Sequence, residues 1–182
     1  MSSFYDTGFV IPKSCSMKPR FMSNRMFMWF VKFRHSAVWI HTWYFRNVYG
    51  MQLHPSVRIS FKNFIDKTNP KGIVIGKDTV VAFNVTMLSH DWATERYGAS
   101  SNIKTIIGEN CFVGCGAIIM PDITIGDEVV IASGAVVTKD VPSHSIVGGN
   151  PAKIIRSGIR CKSYGRIIPG ATVDDENKSN SV

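Results

Sequence analysis

Apolar residues recur at every sixth position through the second half of the chain. A helix would not place them on one side, because six residues span about 1.7 turns. A plain strand alternates every two residues and needs no period of six. The pattern therefore predicts a parallel β-helix in which each hexapeptide makes one short strand and one corner. First-slot residues are Ile107, Val113, Ile119, Ile125, Ile131 and Val137, and fifth-slot residues are Cys111, Ala117, Ile123, Val129, Ala135 and Val141.

The six-residue spacing begins at Leu53 and is interrupted twice. The step that follows Ile65 takes ten residues instead of six, which predicts a corner insertion over residues 66–72. The step into Ile107 takes twenty residues, which predicts a loop over residues 89–104 that leaves the coil and returns.

Residues 21–49 combine ten aromatic residues with several Lys and Arg and contain no Asp or Glu. Neither Gly nor Pro occurs before residue 50 in this stretch, so one or two helices are predicted. The longest piece without Lys, Arg or His, Met26–Val31, is far shorter than the about 20 residues of a membrane span. Two interpretations remain: the segment packs on the first coil or a neighbouring subunit, or it lies on an anionic membrane surface.

These patterns divide the chain into three parts. Residues 1–49 form a partly helical N-terminal segment, and residues 50–156 form the β-helix. Residues 157–182 form a C-terminal extension, whose polar and aperiodic end from residue 170 onward is expected to be a mobile tail.

The chain of 182 residues has 21 Lys and Arg against 13 Asp and Glu, a net charge of +8. A basic excess favours an anionic partner, such as nucleic acid, a membrane surface or a polyphosphate cofactor. No known DNA-binding or RNA-binding module is present, so no nucleic-acid partner is expected.

The four cysteines do not form a CxxC pair, and Cys111 and Cys115 fall on repeat positions. Free thiols are expected, which favours a reducing cytoplasm. Residues 1–10 carry neither the basic nor the apolar region of a signal peptide. The predicted location is therefore the cytoplasm, with peripheral contact to the inner membrane as a further expectation.

His90 is the strongest catalytic candidate, within the sequence Met87-Leu-Ser-His-Asp-Trp92. Regular coils form no cleft, whereas a loop leaving the coil provides one. A neutral imidazole there is suited to take the proton of a hydroxyl or amine that attacks a thioester. The alternative is an ordinary histidine on a surface loop.

The repeat, the loop and the exit sequence Asn150-Pro151-Ala152-Lys153 resemble the hexapeptide-repeat acetyltransferases with a left-handed parallel β-helix. The resemblance covers roughly residues 50–156. The sequence Ser89-His90-Asp91 is similar to that found in the branch of the family that acetylates sugar and polysaccharide hydroxyls. The resemblance implies a mainly β fold with a left-handed coil, and His90 as the general base.

Four further residues are candidates for the active site. Asp91 is expected to orient the imidazole, although a backbone carbonyl would do so equally well. Trp92 is expected either to stack on a sugar ring or to anchor the loop. Asn84 either contacts substrate or is an ordinary corner residue, and Asp66 is expected to contact an acceptor hydroxyl.

The resemblance also implies a homotrimer that binds acetyl-CoA in the groove between two β-helices. Basic side chains there would meet the phosphates of the cofactor, although a solvated basic face is the alternative. No metal is expected, because a zinc site needs convergent ligands and His90 is the only histidine at the loop. The implied cofactor-binding residues are Cys115, Ser133, Thr138, Lys139, Lys153 and Arg156.

The predicted activity is acetyl-CoA-dependent O-acetylation of a sugar hydroxyl in surface-polysaccharide or lipopolysaccharide synthesis, on a sugar or a lipid-linked saccharide. Other acceptors remain open, namely those of nucleotide amino-sugar N-acetyltransferases, serine acetyltransferases and antibiotic acetyltransferases. A non-enzymatic β-helix scaffold is the alternative from another class, and it would have no need of His90 and its loop.

Overall fold

A computed structural model describes residues 24–93 and 103–173. Helix α1 (Asn24–Asn47) opens this part of the chain and is followed by sixteen short strands. The chain separates into two compact units between His35 and Ser36. In the first unit the rings of Trp29 and Phe33 stack with their centroids 5.7 Å apart. None of the helices described is long and apolar enough to cross a bilayer.

The strands are short and regularly spaced, and one 3₁₀ turn, Pro70–Gly72, interrupts them. Their bounds are β1 (Gln52–Leu53), β2 (Arg58–Ile59), β3 (Phe64–Ile65), β4 (Ile73–Ile75), β5 (Val80–Val81), β6 (Thr86–Met87), β7 (Thr105–Ile107), β8 (Phe112–Val113), β9 (Ile118–Ile119), β10 (Thr124–Ile125), β11 (Val130–Ile131), β12 (Val136–Val137), β13 (Ser145–Gly148), β14 (Lys153–Ser157), β15 (Ile159–Lys162) and β16 (Arg166–Thr172).

The strands form a left-handed parallel β-helix with a helical N-terminal segment, which confirms the predicted fold class. The first sheet has the order β1-β4-β7-β10, the second has β2-β5-β8-β11-β13-β14, and the third has β3-β6-β9-β12. Each coil contributes one strand to each sheet. We call the turns that follow the strands of the first, second and third sheets the first, second and third corners.

Strand register confirms where the period breaks. Thr124 pairs with Ile106, a regular coil of eighteen residues. Val74 pairs with Ile106 across thirty-two residues, and with Gln52 across twenty-two. The extra residues of the first and second coils both follow strands of the third sheet, so the two insertions lie at the third corner in adjacent coils. Residues 94–102 of the predicted loop lie outside the described residues.

The interior of the coil consists of the first-slot and fifth-slot side chains, all of which are buried. The second slot is often Gly for a steric reason. A Cβ on Gly114 would lie 2.5 Å from the backbone nitrogen of Ser133, and one on Gly76 would lie 2.7 Å from the carbonyl carbon of Gly108. Glycine is therefore required where corner backbones of adjacent coils approach each other closely.

Beyond the coil, the chain turns back on itself. Strand β14 runs antiparallel to β13, and β15 and β16 form an antiparallel hairpin. The hairpin packs against the coil, since Tyr164 donates its N–H to the carbonyl of Asp78 at 2.6 Å. Its strand β16 continues to Thr172, into the stretch expected to be a tail, and residues 174–182 lie outside the described part.

Candidate active site

The imidazole of His90 is hydrogen-bonded through Nδ1 to the carboxylate of Asp66. His90 lies just after β6, where the second coil is interrupted, and Asp66 lies just after β3 in the coil before it. The His90 side chain is 18% exposed, whereas that of Asp66 is 4% exposed. The two insertions at the third corner therefore bring a histidine and a carboxylate together across 24 residues.

Asp66 is held by a dense set of hydrogen bonds. Its Oδ2 accepts from the N–H and the hydroxyl of Ser89, at 2.9 and 3.0 Å, and its Oδ1 accepts from the N–H of Thr68 at 2.8 Å. Burial acts to raise the pKa of Asp66, but the hydrogen bonds from Thr68, His90 and Ser89 outweigh it and lower the pKa to about 2. The carboxylate is therefore ionised at neutral pH.

This ionised carboxylate determines the tautomer of the imidazole. A carboxylate can only accept a hydrogen bond, so Nδ1 of His90 carries the hydrogen that faces Asp66. The other ring nitrogen, Nε2, is then an acceptor with a free lone pair when the ring is neutral. An oriented imidazole of this kind can take a proton from a hydroxyl or an amine.

Two further polar side chains hold together the points where the chain leaves the coil and returns to it. The amide Nδ2 of Asn69 donates to the carbonyl oxygens of Ser89 and Ile103, at 3.3 and 3.0 Å. The hydroxyl of Thr105 donates to the carbonyl of Leu88 at 2.6 Å. The Asn69–Ile103 and Thr105–Leu88 hydrogen bonds join the residues before the loop to those after it, so they fix the point from which His90 projects.

Asp66 takes the orienting role that the sequence suggested for Asp91. The carboxylate on the imidazole is Asp66, while Oδ1 of Asp91 accepts from the N–H of Ala93 at 2.9 Å. Nor does Asp66 face an acceptor, because it is buried and its oxygens already accept several hydrogen bonds. The sequence signal for this pairing was the corner insertion itself, which begins at Asp66.

Trp92 is exposed, and its ring lies edge-on to the His90 ring with centroids 6.0 Å apart. It is therefore placed where a bound ring could stack beside the base. Asn84 lies elsewhere, at the second corner, with a backbone φ of +59°. The equivalent positions of the next two coils are Gly116 and Gly134, also with positive φ, so backbone geometry alone explains a small polar residue there.

The cofactor-binding candidates lie on two different corners. Cys115, a half-buried free thiol, and Ser133 occupy stacked positions at the second corner, in the row of Phe83 and next to the row of Asn84. Thr138 and Lys139 follow β12 at the third corner, where His90 also lies. They are two coil steps beyond His90, or about 10 Å along the axis.

Lys153 and Arg156 lie on β14, at the end of the second sheet. Lys153 is opposite Gly148 and Arg156 is opposite Ile146, and both side chains are exposed. With Lys139 they form a basic region at the C-terminal end of the coil. The structure thus separates the base at the second coil from the cations at the last coils.

The surface between the two corners is the outer face of the third sheet. Its outward residues, one per coil, are Phe64, Thr86, Ile118 and Val136. Phe64 is 64% exposed, and Phe83 at the adjoining second corner is also exposed. No three His, Cys, Asp or Glu side chains within residues 24–93 and 103–173 are placed to hold a metal ion.

Comparison with known proteins supports the predicted repeat family. Residues 104–139 match the family described as bacterial transferase hexapeptide (six repeats). Residues 104–139 of the β-helix therefore carry the hexapeptide repeat that this family model describes. The matched residues include β7 to β12, the most regular coils of the structure.

Three curated relatives illustrate the range of similar proteins. The chain is 32% identical over 113 residues to a Bacillus subtilis (strain 168) protein named as an acetyltransferase, YvoF, covering 62% of this chain and 64% of that protein. It is 38% identical over 110 residues to serine acetyltransferase 2 of Arabidopsis thaliana, covering 60% and 33%. It is 31% identical over 115 residues to galactoside O-acetyltransferase of Escherichia coli (strain K12), covering 59% and 55%. The chain therefore spans less than two thirds of the length of each of these relatives.

Two solved structures are also similar. A maltose O-acetyltransferase from Clostridium difficile 630 matches with a TM-score of 0.44 and 28% identity, covering 62% of this chain and 72% of that one. A serine acetyltransferase from Neisseria gonorrhoeae matches with a TM-score of 0.43 and 27% identity, covering 63% and 43%.

Proposed function

We propose that this chain is an acetyl-CoA-dependent acetyltransferase that transfers the acetyl group to a sugar hydroxyl, with His90 as the general base. The observation that carries the proposal is the hydrogen bond between His90 Nδ1 and the ionised carboxylate of Asp66. It leaves Nε2 as a base at the edge of an interrupted coil. The named acetyltransferase relatives support the reaction class.

In the proposed reaction, Nε2 of His90 takes the proton of the acceptor hydroxyl as its oxygen attacks the thioester carbonyl. A backbone N–H stabilises the negative oxygen of the tetrahedral intermediate. The new C–O bond remains, the C–S bond breaks, and the imidazolium returns its proton to the departing thiolate. Asp66 keeps its negative charge throughout and stabilises the imidazolium.

We further propose that the active enzyme is a homotrimer. The third corner carries the base, His90, and Lys139. The second corner carries Cys115 and Ser133, and Lys153 lies on β14 at the end of the second sheet. One chain cannot bring two different corners together across a sheet face, but a second copy can place its second corner beside the third corner of the first. A contact of this kind joins two different surfaces of the chain. Repeated three times it closes into a ring, and each copy then contributes to an equivalent site.

The exposed apolar side chains of the third sheet support burial of this face. In the assembled site, Lys139, Lys153 and Arg156 would meet the phosphates of CoA, and Cys115 and Ser133 would border its extended arm. Charge-assisted hydrogen bonds between Lys or Arg and phosphate suit that assignment. Trp92 of one copy and Asn84 from the second corner of a neighbouring copy would contact the acceptor. In this proposal the sugar acceptor belongs to surface-polysaccharide or lipopolysaccharide synthesis.

A serine acetyltransferase is the second candidate, favoured by the 38% identity to the Arabidopsis enzyme. The acceptors are separated by incubating the full chain and acetyl-CoA with free saccharides, nucleotide sugars, amino sugars or L-serine and measuring release of the CoA thiol. Hydroxylamine removes an acetyl ester but not an acetamide. We expect a saccharide ester, whereas turnover confined to L-serine or to an amine would contradict the proposed acceptor.

The role of His90 is tested in the same assay. His90→Ala should lower turnover by about 10²–10⁴-fold, the usual contribution of a positioned base. A matched control is His54→Ala at the first corner, where the imidazole hydrogen-bonds Ser56 instead. Turnover of His90→Ala within threefold of the wild type would remove His90 from the mechanism.

A further inference from the structure

One face of residues 36–47 of α1 covers the first coil. The hydroxyl of Thr42 accepts from the N–H of Ile59 at 3.0 Å, and Nδ1 of His41 lies 3.2 Å from the carbonyl oxygen of Ile59. Phe45 is buried in the core of the coil. Since Ile59 belongs to β2, at the edge of the second sheet, these side chains satisfy backbone groups that have no coil beside them.

The opposite face of the same residues is apolar and exposed. Ordinary surface helices place apolar side chains toward the core and polar ones toward water. Here the inward face includes Thr42 and His41, and large aromatic side chains point outward. The exposed fractions are 59% for Trp39, 58% for Ile40, 44% for Trp43, 41% for Tyr44 and 59% for Val48. Their spacing of three and four residues makes them one stripe along this part of the helix.

The part of the sequence that contains this stripe carries charge of one sign only. From Thr7 to Ile65 the chain contains nine Lys and Arg and no Asp or Glu. Among the described side chains, Arg34 is exposed and Arg46 is half-buried. Trp and Tyr favour the headgroup region of a bilayer, and each Lys or Arg near an anionic surface adds about 1 kcal/mol of attraction.

We propose that the exposed face of α1 and of the turn that follows it, formed by Trp39, Ile40, Trp43, Tyr44 and Val48, lies in the headgroup region of an anionic membrane. A second copy of the chain fits this face less well, because it would bring two regions of positive charge together without any acidic residue between Thr7 and Ile65 to pair with them. An anionic lipid surface accepts both the aromatic side chains and the charge.

Membrane contact would also define the acceptor more closely, a point that rests on the proposed function. The helix covers the first coil, and His90 projects from the second. One coil step of about 4.8 Å and one helix diameter of about 10 Å therefore separate the base from the surface on which α1 lies. An acceptor sugar attached to a lipid would be within reach at that height, so we infer a lipid-linked saccharide as the substrate class.

The test is co-sedimentation of the full chain with vesicles of phosphatidylcholine, with or without phosphatidylglycerol, at low and high salt. We expect binding to the anionic vesicles alone and its loss with added salt. Replacing Trp39, Ile40 and Trp43 by Gln should weaken partitioning at least about tenfold. The matched control is Ile167→Gln, an exposed apolar residue on β16, which should bind as the wild type does.

Three outcomes would overturn the proposal: wild-type protein in the supernatant under every condition, equal binding by the triple variant, or loss of a larger oligomer in the triple variant without vesicles. The last would assign the face to a second copy. Transfer to a free saccharide is measured on the same preparations, so failure of membrane binding is distinguished from failure of the proposed activity. The lipid-linked acceptor is then tested directly by comparing a free saccharide with the same saccharide on a polyprenyl carrier in these vesicles.

Discussion

The side-chain amide of Asn69 donates a hydrogen bond to the carbonyl of Ile103, 34 residues further along the chain, at a distance of 3.0 Å. The same nitrogen also reaches the carbonyl of Ser89, on the other side of the loop. One side chain therefore joins the two ends of the interruption that carries His90. The corner insertion of the first coil both orients the base through Asp66 and closes the loop through Asn69.

Asn69→Ala should lower kcat by about tenfold to a hundredfold while leaving the KM for acetyl-CoA within about twofold, because His90 would lose its fixed position and the distant cations would not. Steady-state kinetics with both substrates provide the measurement. The matched control is Asn63→Ala, since Asn63 makes a similar pair of hydrogen bonds to Ser60 and Val85 at the second corner. Equal loss of kcat in both variants would indicate a general stability effect instead.

Because the pKa of Asp66 is lowered in the folded state, we expect the protein to lose stability in acid. The pKa is lowered from 3.8 to about 2, so the folded state holds the ionised form more strongly than the unfolded chain does. The resulting stabilisation, on the order of 2 kcal/mol, is fully present above about pH 4 and is lost as pH falls through about 2. Urea unfolding of the wild type and of Asp66→Asn should therefore give a difference in unfolding free energy that shrinks between about pH 5 and 2. A difference that does not change with pH would contradict it.

Neutralising Lys139, Lys153 and Arg156 should raise the KM for acetyl-CoA by about tenfold or more, with little change in the KM for the acceptor. The effect should decrease at high salt, because ions then screen the wild-type attraction. Acetyl-CoA without its 3′-phosphate serves as the control cofactor. An equal loss for both cofactors would show that these three residues do not serve that phosphate.

The outer face of the third sheet provides the test of assembly. Ile118→Glu would place a carboxylate in the middle of the proposed contact, where a buried unpaired charge is costly. We expect smaller species in analytical ultracentrifugation and a parallel loss of acetyl transfer, with the coil still folded by circular dichroism. Ile167→Glu on the outer hairpin is the matched control. A wild-type chain that sediments as an active monomer would contradict the shared site.

The β-helix could largely be predicted from the sequence. Each strand needs a branched side chain that points inward, and this requirement repeats every six residues. The phase shifts after Ile65 and before Ile107 likewise revealed where the coil is interrupted. The hairpin of β15 and β16 gave no such signal, since it packs on the outside of the coil, where no period of six applies.

The hydrogen-bond partners within the site were harder to predict from the sequence. His90 stood out because it follows the last regular hexapeptide before the loop. Asp66 was found as a candidate but given another role, since the neighbour of His90 in sequence, Asp91, was the simpler choice. Asn69 and Thr105 were missed because they bind backbone carbonyls, which carry no residue-type signal, and their partners depend on where the loop returns.

The antiparallel course of β14 has a consequence for growth along the axis. A parallel coil ends in three open strand edges, each able to template the first coil of another molecule and so to start a filament. Here β14 occupies the edge of the second sheet, and the backbone of Gly149 and Ala152 occupies that of Val136 in the third. The last coil is therefore covered at these two edges, which hinders the stacking of another parallel coil on this end.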